Sequence, residues 1–330
     1  MPKSKATIIG AGAMGTALST ILTSNGYQVC FWDIDENVVE GIKAKHRNPR
    51  SFPEIRLGDS VSAESDITKA VFGADLVILS VASLAMREVC LKLRNALARN
   101  CVVVNIAKGL EAGSLKTMPE VISEVLSPTF RDQIIAISGP TLAEEVAHKI
   151  PTAAMMASQR DNAYSKRVKD ALTCEWFKLY ETRDVVGVAL CGVVKHALAI
   201  ISGISDGLKY GDNTRAWLLS EGFREVSRLI WKIGGQEETM YGLAGLGDAL
   251  ATCFSPDSRN HQFGKLLGQG KSVTKALALI KETVEGAPAV EALHKLALCE
   301  RLNLPLLQAL YEIIVLKKSA AKVFVNFVRI

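Results

Sequence analysis

The sequence predicts an α/β protein: a doubly wound, mostly parallel sheet followed by an all-helical second domain. Three observations carry this reading. A short apolar strand runs into Gly10-x-Gly12-x-x-Gly15 and then a helix-forming run. Continuous apolar runs alternate with amphipathic segments through the first half, which is the pattern of strand–helix–strand units. From about Thr182 such runs cease and a three-to-four-residue periodicity takes over. A chain of 330 residues exceeds the size at which single cores stop growing, so two domains are expected. The boundary falls near residue 183, dividing the chain into 1–183 and 184–330.

The elements follow in order. The first strand leads into the glycine turn, where each glycine has its own task. Gly10 permits the tight turn, Gly12 allows close approach of a pyrophosphate, and Gly15 lets the helix pack on the strand. The helix spans Thr16 to Thr23 and stops near Asn25-Gly26. Its N-terminus offers free N–H groups and a positive dipole end to an anion. A second strand, Gln28 to Trp32, ends at Asp33, where an acid would grip the adenine ribose of a dinucleotide. Runs at Asp75–Val81 and Cys101–Asn105 read as parallel strands buried on both faces, with a helix over Leu84–Leu97 between them. Further strands fall at Ile134–Ile137, Thr152–Ala157 and Trp176–Tyr180. Helical periodicity marks Val185–Leu208, Thr214–Ile233, Val273–Ile280, Val290–Cys299 and Leu306–Leu316.

Bulk properties narrow the function. The composition is 48% hydrophobic and 22% charged, that of an ordinary globular protein. The net charge of +5 is scattered and only 6% of residues are aromatic, which argues against a nucleic-acid partner. Seven cysteines without a CxxC pair point to reduced thiols rather than zinc or a disulfide scaffold. No uninterrupted apolar run approaches the ~20 residues of a membrane helix, and the few residues before the first strand leave no room for a cleavable signal. A cytoplasmic protein without a membrane partner is therefore expected. The histidines have no metal-ligand spacing and no GxSxG is present, so neither a metal nor a covalent nucleophile is expected.

Ligands of open α/β sheets bind outside the carboxyl ends of the strands. Ser83, Lys108 with Gly109, and Ser138-Gly139-Pro140-Thr141 stand there. In the helical domain, Lys195 sits in an almost wholly apolar helix. It must snorkel outward or be held by partners, and a desolvated amine would suit proton transfer. The Gly242–Asp248 segment reads as a glycine-rich loop before an acid. Ser258, Arg259 and Asn260 offer a planar guanidinium and two further hydrogen-bonding groups, a set suited to phosphate.

GAGAMG at 10–15, AKGLE at 107–111, SGPTLAEE at 138–145, VKHALAI at 194–200, DGLKYGDNTRA at 206–216, GLAGLGD at 242–248, SRN at 258–260 and VEG at 284–286 resemble NAD(P)-dependent glycerol-3-phosphate dehydrogenase, in order over the whole chain. The resemblance implies a Rossmann-type domain, a helical domain, a homodimer, and interconversion of dihydroxyacetone phosphate and sn-glycerol 3-phosphate for phospholipid synthesis. It makes Lys195 the proton donor and acceptor, has Lys108 polarise the carbonyl or hold substrate, and has Asp248 orient Lys195. Ser258, Arg259 and Asn260 would hold the substrate phosphate, with Arg259 also near the cofactor. Gly139 and Thr141 would line the substrate pocket, and Ala143 and Glu285 would approach the nicotinamide half. Gly10, Gly12, Ala13, Met14, Gly15, Asp33 and Lys108 complete the implied cofactor site. Four positions depart from the family: His196 where asparagine is usual, Ala82 for a proline, Glu221 for a frequent arginine, and Ser51 for an aromatic.

Around Trp32-Asp33-Ile34-Asp35 the sequence shows no arginine or lysine to receive a 2′-phosphate, and two carboxylates there would repel one. NADH preference is expected, with NADP use possible through Lys43, Lys45 or Arg47. Two rival readings are a related two-domain reductase acting on keto acids of the β-hydroxyacid, 6-phosphogluconate or ketopantoate kind, and a nicotinamide-sensing regulator without turnover.

Overall fold

In the computed structural model the described residues are 4–280 and 283–328. The first half runs β1 (Lys5–Ile9), α1 (Ala13–Ser24), β2 (Gln28–Trp32), α2 (Glu36–Lys45), β3 (Val61–Glu64), α3 (Ile67–Val71), β4 (Leu76–Leu79), α4 (Met86–Leu93), β5 (Val102–Asn105), α5 (Met118–Val125), β6 (Ile134–Ser138), α6 (Ala143–Ala147), β7 (Thr152–Ala157), α7 (Ala163–Leu172) and β8 (Phe177–Thr182). These strands form one eight-stranded sheet in the order β3-β2-β1-β4-β5-β6-β7-β8. Neighbours are parallel except β6 with β7. The order reverses between β1 and β4, the switch point at which such sheets bind ligands.

Alternation along the strands explains why both faces are dry. Ala6, Ile8, Leu76, Ile78, Val102 and Val104 join one core beneath α1, α6 and α7. Ile9, Val77, Leu79, Cys101 and Val103 join the other, with Met86, Val89 and Cys90 of α4 and Val121 and Ile122 of α5. Side chains of successive strand residues point to opposite faces, so a strand covered on both sides must be apolar throughout. The sequence gives no sign of β3. It is a four-residue edge strand, Val-Ser-Ala-Glu, with only two buried positions.

The second half contains α8 (Val185–Gly207), α9 (Asp212–Lys232), α10 (Glu237–Tyr241), α11 (Asp248–Cys253), α12 (Arg259–Gly268), α13 (Val273–Leu279), α14 (Gly286–Cys299), α15 (Pro305–Ile314) and α16 (Ala320–Val328). By contacts the chain divides into two compact units, residues up to Lys108 with Lys116–Ala189, and Gly109–Leu115 with Leu190 onward. One sequence expectation holds with a qualification and another needs correction. No uninterrupted apolar run reaches membrane length, since Lys195 breaks the run in α8, yet the 23 residues of that helix are long and apolar enough to cross a membrane by length and composition. That helix is instead a core element, with 83% of its most apolar window buried. The Gly242–Asp248 segment is no loop. Leu243–Gly247 forms a π-helical turn running directly into α11. A Cβ on Gly245 would lie 2.0 Å from the Met240 carbonyl oxygen, so that glycine serves helix packing.

Glycines also set how α12 meets α8. A Cβ on Gly203 of α8 would stand 2.0 Å from the His261 carbonyl oxygen, and one on Gly264 of α12 would stand 2.2 Å from that of Ile200. Gly207 and Gly268, one turn further along each helix, show the same crowding. The two backbones are in contact from Ile200 to Gly207, which fixes α12 along the C-terminal part of α8. Gly264→Ala is expected to cost about 2–3 kcal/mol, because the helices must part to admit a methyl group. An unchanged urea midpoint would contradict this packing.

Candidate active site

In the first unit, the glycine turn fits a dinucleotide by its own geometry. Gly10 has φ +99°, and a Cβ there would meet the Ser80 carbonyl oxygen at 2.7 Å. A Cβ on Gly15 would lie 2.5 Å from the Gly10 carbonyl oxygen, whereas one on Gly12 would meet nothing within 4 Å. The outer glycines thus hold turn to helix, and Gly12 leaves room for a bound group. Gly12 caps α1 without a side-chain bond, and the N–H groups of Ala13, Met14 and Gly15 in its first turn have no intrahelical partner. That is a cradle for a pyrophosphate.

Asp33 is buried at the end of β2. Its carboxylate accepts from Ala11 N–H at 2.8 Å and Asp35 N–H at 3.0 Å. It also accepts from Arg50, whose Nη2 stands 2.5 Å from Oδ2. The sequence expectation of no cation at this carboxylate is therefore wrong. Arg50 lies far along the chain and is brought back by a loop pinned at the fully buried Asn48, which donates to the Ala11 carbonyl and to Thr16 Oγ1, both at 2.8 Å. Neither Asn48 nor Arg50 was singled out by sequence reasoning, because the loop and not sequence adjacency places them. Ser51, a departure from the family, donates its N–H to the same Asn48 side chain.

Beyond β5, Lys108 is half-buried and its Nζ lies 3.4 Å from the Gly139 carbonyl oxygen. Thr141 donates to the same oxygen at 3.2 Å. These three predicted residues are brought together at the carboxyl ends of β5 and β6. Ala143 opens α6, a helix of five residues. Ala82 precedes a short 3-10 turn that contains the half-buried Ser83.

In the second unit, Lys195 is held by partners rather than snorkelling. Its Nζ donates to Asp248 Oδ1 at 2.6 Å and to Thr252 Oγ1 at 3.1 Å. The Thr252 hydroxyl gives its own hydrogen to the Asp248 carbonyl at 2.7 Å, so a lone pair is left for the ammonium. Among the described residues two of the three ammonium donors are thereby committed, and the third is left for a ligand. Asp248 is 2% and Lys195 9% exposed. Removing two ions from water costs several kcal/mol each unless they pair closely, so the arrangement is a poor stability device and a good functional one. Thr252 stands one turn after Asp248 on α11 and becomes legible only once the glycine segment is read as helix. Nearby Cys253 stays a thiol, because burial pushes it up to about 12.

Ser258 caps α12 by accepting from His261 N–H at 3.3 Å, and Arg259, the first residue of that helix, is exposed. Asn260 is buried and does not face open solvent: its Oδ1 accepts from Gly286 N–H at 2.8 Å, and its Nδ2 is 2.8 Å from His196 Nδ1. His196 Nε2 lies 3.4 Å from Glu285 Oε2. Glu221, the remaining departure, pairs with Arg224 one turn along the surface of α9.

Comparison with known proteins agrees with this geometry. The family model for the NAD-dependent glycerol-3-phosphate dehydrogenase N-terminus matches residues 5–164, and that for the C-terminus matches residues 184–325. The chain is 40% identical to a glycerol-3-phosphate dehydrogenase [NAD(P)+] of Syntrophomonas wolfei, over 96% of this chain and 92% of that protein. It is 38% identical to one of Clostridium acetobutylicum, over 93% and 92%. The crystal structure of glycerol-3-phosphate dehydrogenase from Coxiella burnetii superposes with a TM-score of 0.91 at 34% identity, covering 99% of each chain. The chain belongs to the NAD-dependent glycerol-3-phosphate dehydrogenase family.

Proposed function

We propose that this chain catalyses the reversible NAD(P)H-dependent reduction of dihydroxyacetone phosphate to sn-glycerol 3-phosphate, with Lys195 as the proton donor. The observation that carries the assignment is the buried ammonium of Lys195, held by Asp248 and Thr252 with one donor uncommitted among the described residues. The nicotinamide cofactor supplies the hydride when bound. As carbon 2 gains that hydride, its oxygen becomes basic and takes a proton from the Lys195 ammonium. Asp248 holds the amine in place through the 2.6 Å contact. Lys108, Gly139 and Thr141 hold the substrate end of the carbonyl, and Ser258, Arg259 and Asn260 take the phosphate. Ala143 of the first unit and Glu285 of the second would each serve the nicotinamide half of the cofactor. In the reverse direction the neutral lysine accepts the hydroxyl proton.

Gly10, Gly12 and Gly15 form the turn that would hold the pyrophosphate, with the N–H groups of Ala13 and Met14 available to it. Asp33 accepts the ribose hydroxyls, and NADH is the preferred cofactor because Asp33 and Asp35 both oppose a 2′-phosphate. Arg50 tempers that opposition. Its guanidinium side chain is 44% exposed and bridges Asp33 and, at 3.8 Å, Asp35, so it can turn toward a phosphate. Arg50→Ala is expected to lower kcat/KM for NADPH by roughly tenfold and for NADH by less than about threefold, the size of one charge-assisted contact. Equal losses with both cofactors would contradict a role at the 2′-position. The protein acts as a homodimer in the cytoplasm, where its product feeds glycerophospholipid synthesis; light scattering tests the dimer. The reaction itself is tested by NADH oxidation on addition of dihydroxyacetone phosphate.

A further inference from the structure

Hydrogen-bond donors and acceptors around Asn260 can be assigned without ambiguity. The backbone N–H of Gly286 is a donor only, so the Asn260 atom facing it at 2.8 Å is the carbonyl oxygen Oδ1. The amide nitrogen Nδ2 therefore faces His196 Nδ1, also at 2.8 Å. An amide nitrogen only donates, so Nδ1 must carry the lone pair. The neutral imidazole then holds its proton on Nε2, which is 3.4 Å from the Glu285 carboxylate. Glu285 and Gly286 are consecutive, so Gly286, Asn260, His196 and Glu285 are gathered in one place: the hydrogen-bonded run is Gly286–Asn260–His196, and the Glu285 carboxylate stands near Nε2 without closing a ring. The run leaves little slack: His196 is 4% and Asn260 7% exposed, and a Cβ on Gly286 would lie 2.6 Å from Asn260 Oδ1.

Resting on the reading that Asn260 receives the substrate phosphate, we propose that His196 is a positioning residue for that phosphate. It accepts one hydrogen of the Asn260 amide and fixes the amide plane, leaving the second Nδ2 hydrogen for the anion. The opposite tautomer would set two donors against each other and turn the amide away. His196 touches neither the carbonyl nor the transferred proton in this account. Its effect is specific to substrates that carry the phosphate.

Two measurements test the proposal. With 15N-labelled histidine in the ligand-free protein, His196 is expected in the neutral Nε2–H form; a signal showing the proton on Nδ1 overturns the assignment. His196→Phe keeps a ring of similar size but removes the acceptor. It is expected to lower the ratio of kcat/KM for dihydroxyacetone phosphate over unphosphorylated dihydroxyacetone by roughly tenfold, the size of one lost hydrogen bond to a charged ligand. His196→Asn, which restores an acceptor oxygen, is expected to return the ratio to within about threefold. Equal losses with both ketones, or no rescue by asparagine, would show a merely structural role. A wild type inert toward dihydroxyacetone phosphate sinks the functional reading itself. A wild type that reduces it while His196→Phe leaves the ratio unchanged sinks only the positioning role.

Discussion

Replacing Lys195 by methionine is expected to lower turnover of dihydroxyacetone phosphate by roughly 10²–10⁴-fold, the range of a lost general acid, while NADH still binds. Methionine keeps an unbranched apolar stem and removes only the ammonium. The dinucleotide cradle belongs to the first unit, with Gly12 and α1, so fluorescence titration with NADH should be unaffected. Loss of the cation also removes the ammonium that balances the buried charge of Asp248, 2% exposed, and some stability goes with it. That confounds activity with folding unless the two are separated.

The second expected result separates them. Asp248→Ala should cost about 3–5 kcal/mol in urea unfolding, because it leaves a buried ammonium uncompensated. The double variant Lys195→Met with Asp248→Leu should recover most of that stability, since apolar groups of similar volume commonly replace a buried ion pair at little cost. It should remain as inactive as Lys195→Met alone. A double variant that is inactive yet stable assigns the ion pair to chemistry. If the double variant were no more stable than Asp248→Ala, packing rather than charge would explain the losses.

The sheet was legible because its signals are local. Gly10, Gly12 and Gly15 each answer a separate steric demand, and the strands flanking the switch point are apolar on both faces. The helices α8, α9 and α15 were legible from spacing, with ends no more than about two residues off, whereas α14 begins at Gly286, well before the expected Val290. What stayed hidden depended on distance in the chain. The edge strand Val61–Glu64 buries too little to leave a hydrophobic run. The π-helical turn at Leu243–Gly247 was read as a loop because glycine signals a turn, although here Gly245 is small to fit against Met240. Arg50 reaches Asp33 only through the Asn48 anchor, and nothing around residue 33 announces it. Read from the residues alone, Lys195 and Asp248 were separate oddities, an amine in an apolar helix and an acid after glycines, and only the family resemblance joined them. Their 2.6 Å contact turns the two into one device. His196 was visible only as a departure from the family, and its partners supply the reason it is tolerated.

The central claim is that a phosphorylated three-carbon ketone is reduced with a proton from Lys195. The most direct measurement is NADH oxidation by the wild-type protein offered dihydroxyacetone phosphate or 2-keto and 3-keto acids, repeated with the stable double variant. The account predicts rapid oxidation with dihydroxyacetone phosphate alone, sn-glycerol 3-phosphate as product, and no oxidation by the variant. Faster oxidation with a keto acid, or undiminished turnover without the ammonium at position 195, would contradict it.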